Sequence, residues 1–360
     1  MKKFMIVALT VMSVLILTSG SQAGAQGPKK HLGIATYSVK GIESDVEGSF
    51  KALADDGYVV VEISNYDAAK GTVAGYKPAD YAALARKYGL EIISSHTRGK
   101  FDVKDPEGSI ASWNKIFDDH KAMGCKYVVF PMNFWSSTTE ALKAECDLLN
   151  KIGEEANKRG IKLGYHNHNF EFAKIKGTDK YFLDFLLENT DPSKVFFEMD
   201  VYWVTMGGEN PVKYLAKYPD RFKVLHIKDD YVIGESGTID FNAIFTQFYK
   251  NGNTDWFVEM EGKMTPEQKK MMLGMTEMMK KRMSEGTGGN PFGPPPAADK
   301  KPADKPQGDA PQGGQNKPAG GQQMPGMGPQ DPKVIAEQLK TSLEGVKLSA
   351  DYLKKSDFVK

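Results

Sequence analysis

Cysteine is nearly absent: the 360 residues contain only Cys125 and Cys146. A disulfide scaffold is thereby excluded, because a chain this long builds a core large enough to stand without one. Cys125 precedes a strand-like run and Cys146 sits within a helical pattern, so both read as small buried hydrophobes. Charge of one sign is lacking as well. Lys and Arg number 47 against 46 Asp and Glu, a formal net charge of +1 spread along the chain. That balance excludes a basic nucleic-acid surface, so no nucleic-acid partner is expected. Long apolar runs are missing too. The run at 4–17 falls short of the ~20 residues that a membrane span requires, so stable membrane insertion is not expected. No cysteine stands directly after that run, so a lipid-anchored lipoprotein is not expected.

What stands at the N-terminus has the form of an export signal. Lys2 and Lys3 precede the apolar run, and Ala23 and Ala25 supply small residues at the −3 and −1 positions. Residues 1–25 are read as a cleavable signal peptide, cut after Ala25. The mature chain is expected outside the cytoplasm, in a periplasm.

From His31 onward, short apolar runs alternate with amphipathic stretches. The runs cover 32–37, 58–63, 91–96, 127–131, 162–168, 195–201, 222–227 and 256–260, and are rich in Val, Ile, Phe and Tyr, as strands are. Helical patterns fill 78–88, 109–123, 138–159 and 181–188. Gly57, Gly89, Gly124 and Gly160 stand shortly before the next strand, where a glycine ends a helix. Eight strands with intervening helices are the count of a (β/α)₈ TIM barrel in the α/β class, spanning 26–262. An open doubly wound sheet is the runner-up, but no Gly-rich phosphate loop follows the first strand.

The eighth helix is delayed. Residues 263–282 are Met-rich and charged, and eight Met fall between Met260 and Met283 inclusive. Thioethers can bind Cu(I), but an adaptable apolar stripe on a helix is the preferred reading. Residues 284–331 hold 11 Gly, 10 Pro and one aromatic in 48 positions. Such a segment buries too little apolar surface to offset its ordering entropy. The stretch 263–331 is therefore read as an insert, Met-rich and then disordered, near the barrel mouth. Apolar positions at helical spacing return in 333–354, so 332–360 is read as the helix that closes the barrel.

The informative residues are polar ones at strand ends. Side chains alternate between the barrel interior and the helix layer, and an inward charge is costly unless paired or bound to metal. Strand two ends in Glu62, strand three in His96, strand five in His166 and His168, and strand six in Glu198 and Asp200. Strand seven ends in His226 and Lys228, and strand eight in Glu259 and Glu261. Each of the last four pairs shares a face. His31 lies at the other end of the barrel, and His120, in a helix, is expected on the surface. Imidazole and carboxylate without thiolate are ligands for one divalent metal ion. Two of each suit Mn²⁺, Co²⁺, Zn²⁺ or Fe²⁺ better than Mg²⁺.

Residues 164–171 read Gly-Tyr-His-Asn-His-Asn-Phe-Glu, 197–203 Phe-Glu-Met-Asp-Val-Tyr-Trp and 225–229 Leu-His-Ile-Lys-Asp. Residues 237–241 read Gly-Thr-Ile-Asp-Phe, and 256–259 Trp-Phe-Val-Glu. Together these motifs resemble the xylose-isomerase-like TIM-barrel superfamily of sugar phosphate isomerases and epimerases. The resemblance implies a metal held by Asp200, His226 and Glu259. His166 stands where the family's epimerases carry a strand-five Glu, with His168 as an alternative, and Trp203 stands where many members have His.

The implied chemistry is proton abstraction beside a sugar carbonyl, with a metal-stabilised enediolate. His168 or Glu259 would be the base. Lys228 would neutralise developing charge or donate to a leaving oxygen. Glu62, His96 and Glu171 would bind hydroxyls, and Trp203, Trp135 and Tyr37 would offer faces to a sugar. Isomerase or epimerase is the first expectation. A lyase eliminating across a 3-keto-glycoside is the second, and a non-catalytic periplasmic sugar- or metal-binding protein the third. No Arg cluster clamps a phosphate, so an exported catalyst is expected to meet free or glycosidic sugars.

Overall fold

The computed structural model describes residues 30–285 and 331–360. The segment read as a signal peptide and the Pro/Gly-rich part of the insert lie outside those residues. Eight parallel strands alternate with helices. They are β1 (Leu32–Ala35), β2 (Tyr58–Ile63), β3 (Glu91–Ser95), β4 (Tyr127–Phe130), β5 (Lys162–His166), β6 (Val195–Asp200), β7 (Phe222–Ile227) and β8 (Asp255–Val258).

Their order in the sheet runs from β3 through β2 and β1 to β8, then down to β4. The two edges meet through backbone bonds from Lys126 to Ile93 and from Thr97 to Val129. The sheet is thus the barrel of a TIM fold. Several strands end sooner than the residue pattern predicts. β1 stops at Ala35, where Thr36–Ser38 turn into a 3₁₀ helix, and β5 stops at His166, leaving His168 in the following loop.

The surrounding helices are α1 (Val46–Asp55), α2 (Pro78–Lys87), α3 (Pro106–Met123), α4 (Thr139–Lys158), α5 (Phe182–Asn189), α6 (Val201–Met206), α7 (Pro211–Lys217) and α8 (Phe241–Lys250). Asp45, Asp105, Thr138, Asp200, Asn210 and Asp240 cap six of them through side-chain oxygens. The Met-rich stretch folds as α9 (Pro266–Glu285), with Met279 and Met283 buried and Met271 and Met278 exposed. The delayed helix is α10 (Pro332–Lys355), and it buries Val346, Ala350 and Leu353. No helix among the described residues is long and apolar enough to cross a membrane. Cys125 and Cys146 are free and buried.

Inside the barrel, Ala35, Val60, Ile93, Val129, Phe196, Val224 and Phe257 pack as one apolar layer. The strand period of two then puts Glu62, Glu198, His226 and Glu259 in the next layer up. Gly164 belongs to the apolar level for a steric reason. A Cβ there would sit 2.5 Å from the Phe196 ring, which fills the space.

His120 is buried rather than on the surface. Its Nδ1 lies 2.6 Å from the Ile116 carbonyl oxygen, which can only accept, so Nδ1 carries the proton. Nε2 then accepts from the Ser95 hydroxyl at 2.8 Å. Burial lowers the imidazole from 6.5 to about 4, so it stays neutral. The unfolded chain takes up this proton below pH 6.5, whereas the folded chain does so only near 4. Stability from this site is therefore complete above 6.5 and falls as the pH drops toward 4, by about 3 kcal/mol over that window. Urea midpoints measured from pH 7 to pH 4 should show a shallower acid decline for His120→Gln than for the parent. Equal slopes would remove His120 from the account.

Candidate metal centre and active site

β5, β6, β7 and the residue after β8 deliver His166, Asp200, His226 and Glu259 to one point. One ligand atom from each lies within 4.8 Å of the others, and all four residues are buried. His166 Nε2 faces Asp200 Oδ2 at 3.9 Å, and His226 Nδ1 faces Glu259 Oε2 at 3.0 Å. That second approach lacks hydrogen-bond geometry, since His226 Nδ1 has no hydrogen-bond partner. Asp200 Oδ2 also has none.

The opposite atoms are all engaged. Asp200 Oδ1 accepts from the Trp203 amide at 2.9 Å, as the cap of α6. Glu259 Oε1 accepts from Lys228 at 2.9 Å. His166 Nδ1 lies 3.2 Å from Glu198 Oε2, and His226 Nε2 lies 2.7 Å from Glu62 Oε1. A buried polar atom without a partner is uncommon and calls for an explanation. Here unpartnered oxygen and nitrogen converge, which fits a divalent cation held by two imidazoles and two carboxylates.

Electrostatics agree with that fit. Burial pushes Asp200 up to about 7, with Glu259 adding to the rise and Lys228 opposing it. Burial pushes Glu198 up to about 7, helped by Glu62. Burial also works against Glu259, but Lys228 and His226 outweigh it and hold the carboxyl well below its usual range. Lys228 is raised well above the usual lysine value by Glu259, Glu261 and Asp200, which overcome its own burial. Two of its three N–H bonds go to Glu259 and Glu261, the latter at 2.7 Å.

A pocket of about 560 Å³ opens over this centre. Among its lining residues are His96, His166, His168, Glu259 and Glu261, with Tyr37 and Arg98 on the wall. A larger cavity of about 1020 Å³ lies beside the first strand's loop and α10, sharing Tyr37 and Ser64 with this pocket. Of the two, the smaller one alone is lined by members of the cluster, His166 and Glu259. His168 Nδ1 has no hydrogen-bond partner. Burial, followed by the Lys228 charge, lowers His168 to about 3, so the ring is neutral.

Several residues expected to meet substrate sit elsewhere. Glu62 is fully buried beneath the centre, accepting from Ser94 at 2.7 Å and facing His226. Glu171 is fully buried and takes the Tyr165 hydroxyl at 2.5 Å and the His168 amide at 2.8 Å. Burial pushes Glu171 up to about 8. It braces the loop that carries His168 and does not reach the pocket.

Trp203 is buried against His168, with Lys228 Nζ 5.0 Å from its ring centre, so it forms the wall behind both. Trp135 is buried and donates to Tyr165 at 2.9 Å, so its face is closed to a sugar. His96 does line the pocket, while its Nε2 bonds Glu198 at 2.5 Å. Tyr37 is 40 % exposed and donates to Glu261 at 3.0 Å. Glu198 received no role from the sequence. Its shared face with Asp200 was the available signal.

The chain belongs to the xylose isomerase-like TIM barrel family, whose model matches residues 50–281. A solved sugar phosphate isomerase/epimerase from Parabacteroides distasonis is 31% identical, covering 92% of this chain and 100% of that one, with a TM-score of 0.67. An inosose dehydratase of Clostridium beijerinckii is 30% identical over 142 residues, 33% of this chain and 46% of that protein. The chain thus spans under half the length of that relative. An inosose dehydratase of Geobacillus kaustophilus is 24% identical over 249 residues, 57% of this chain and 76% of its own. The family is enzymatic, with isomerases, epimerases and dehydratases among the similar proteins.

Proposed function

We propose that this protein is a metal-dependent carbohydrate enzyme of the isomerase/epimerase type, which removes a proton next to a sugar carbonyl. One observation carries this: His166, Asp200, His226 and Glu259 turn one ligand atom each to a shared point and engage the opposite atom elsewhere. A divalent cation held there would act as a Lewis acid on a carbonyl oxygen.

The chain's own groups do the rest. His166 has Nδ1 committed to Glu198 and Nε2 turned to the ligand cluster, so it keeps no lone pair for proton transfer. Glu259 and His168 both line the pocket, and both stay unprotonated at neutral pH, as a base must. Lys228 stays protonated and anchors Glu259. Its third N–H remains for negative charge that develops during reaction.

A second reading, elimination of a β-hydroxyl or β-glycosyl oxygen, is favoured by that arrangement. A carboxylate base and an ammonium acid lie side by side just past the ends of β7 and β8, and proteins named inosose dehydratases are similar to this chain. Incubation of the metal-loaded protein with keto and aldehyde sugars in D₂O tests both readings. Deuterium uptake next to the carbonyl is expected. Recovery of an isomer or epimer supports the first reading, and an unsaturated product supports the second. No exchange with any sugar defeats the proposal.

A further inference from the structure

A second, lower group of ligand-type side chains shares His166 and His226 with the first and adds His96 and Glu198, with ligand atoms again within 4.8 Å. Glu198 Oε2 stands at its middle, 2.5 Å from His96 Nε2, 3.2 Å from His166 Nδ1 and 3.3 Å from His226 Nε2. Glu62 Oε1 joins it, 2.7 Å from His226 Nε2 and 3.4 Å from His96 Nε2. Both carboxylates are fully buried. By residue type alone this group could hold a cation of its own.

Counting protons decides against that. A neutral imidazole has one N–H and one lone pair. The upper cluster takes the lone pairs of His166 Nε2 and His226 Nδ1. Their protons must then sit on His166 Nδ1 and His226 Nε2, and those are the atoms the lower group would need as ligands. A cation in the lower group would require both rings to lose a second proton. The carboxylates instead stand where an N–H must point, Glu198 against His166 and Glu62 against His226.

We infer that Glu62 and Glu198 are positioning residues for the metal centre: each fixes which nitrogen its histidine presents, and the deep cluster holds protons rather than a second ion. The inference rests on the metal reading proposed above and concerns residues with no access to substrate. Partners of this kind orient the ligand ring and raise its basicity, and their loss costs 10–100-fold in metal affinity. Two separate carboxylates for two histidines also mean that each loss should act largely on its own ring.

The test uses the full chain and Zn²⁺ or Co²⁺ alone, in competition with a chelator of known affinity. The parent should bind one ion per chain. Glu198→Gln and Glu62→Gln should each bind it 10–100-fold more weakly, with thermal unfolding of the metal-free protein checked for each. A ¹⁵N spectrum of the Zn²⁺-loaded parent should show the remaining proton at His166 Nδ1 and at His226 Nε2, and each Gln variant should disturb one ring more than the other.

If the parent binds no divalent ion, the metal reading itself fails. If it binds one ion and both variants bind as tightly as the parent, the positioning role is overturned while the metal reading stands. Binding of two ions per chain, with the second lost on Glu198→Gln, would make the deep cluster a metal site and overturn the proton count.

Discussion

Asp200→Asn should abolish metal binding while leaving the barrel folded. The two oxygens of Asp200 do different work. Oδ1 caps α6 through the Trp203 amide, and Oδ2 points into the ligand cluster without a partner. Asparagine keeps a cap-competent oxygen but offers the cation an amide in place of a charged ligand. Asp200→Ala removes both functions. Metal affinity should fall by more than about 100-fold in both variants, beyond the 10–100-fold typical of an outer-shell partner. The alanine variant alone should lose about 1 kcal/mol of stability through the missing cap. Chelator competition reads the first effect and urea unfolding of metal-free protein the second. Deuterium exchange from substrate should vanish with the metal in both. An Asp200→Asn protein that binds metal as the parent does would take Asp200 out of the ligand set.

The contrast between Asp200 and Glu62 shows how far the sequence could be read. Strand alternation states which face a residue occupies, and it grouped His166 with His168, Glu198 with Asp200 and Glu259 with Glu261. It does not state depth. Glu62, Glu198 and Glu259 lie in the layer directly above the apolar floor, whereas Asp200 stands two residues further along β6, nearer the rim. Depth follows from strand tilt and stagger around the closed barrel, including the register shifts between Phe197 and Glu198 and between Val61 and Glu62. Such shifts leave no mark in a local pattern.

Glu171 was misplaced for a different reason. A carboxyl at a loop start looks like a sugar ligand, but the Tyr165 hydroxyl and the His168 amide claim it in three dimensions. His120 was read as a surface residue because a helix position says nothing of Ser95, which waits on β3 to receive it. The convergence of His166, Asp200, His226 and Glu259 was legible because four neighbouring strands each end in a ligand-type residue, a regularity that survives ignorance of depth.

Lys228 carries the other large expected effect. It is 1 % exposed and sits between Glu259 and Glu261, with Asp200 and Tyr37 close enough to matter. Removing one partner of a buried ion pair leaves an uncompensated charge and costs 3–5 kcal/mol. Lys228→Met keeps most of the apolar stem against Trp203 and removes only the ammonium, so packing changes little. Metal-free Lys228→Met should therefore unfold at a lower urea midpoint, by about 3–5 kcal/mol, and more so at pH 8 than at pH 5. Glu259 and Glu261 are both held below the usual carboxylate range chiefly by Lys228. Without it their folded-state values rise, and acid then relieves the repulsion that high pH imposes. A bound cation supplies the missing positive charge to Glu259, so saturation with metal should recover much of the lost stability. Turnover should not recover with it, because Lys228 also offers the free N–H next to the base. Equal losses with and without metal would show that a bound cation does not replace the lysine's charge beside Glu259, and a fully active metal-loaded variant would remove Lys228 from the chemistry.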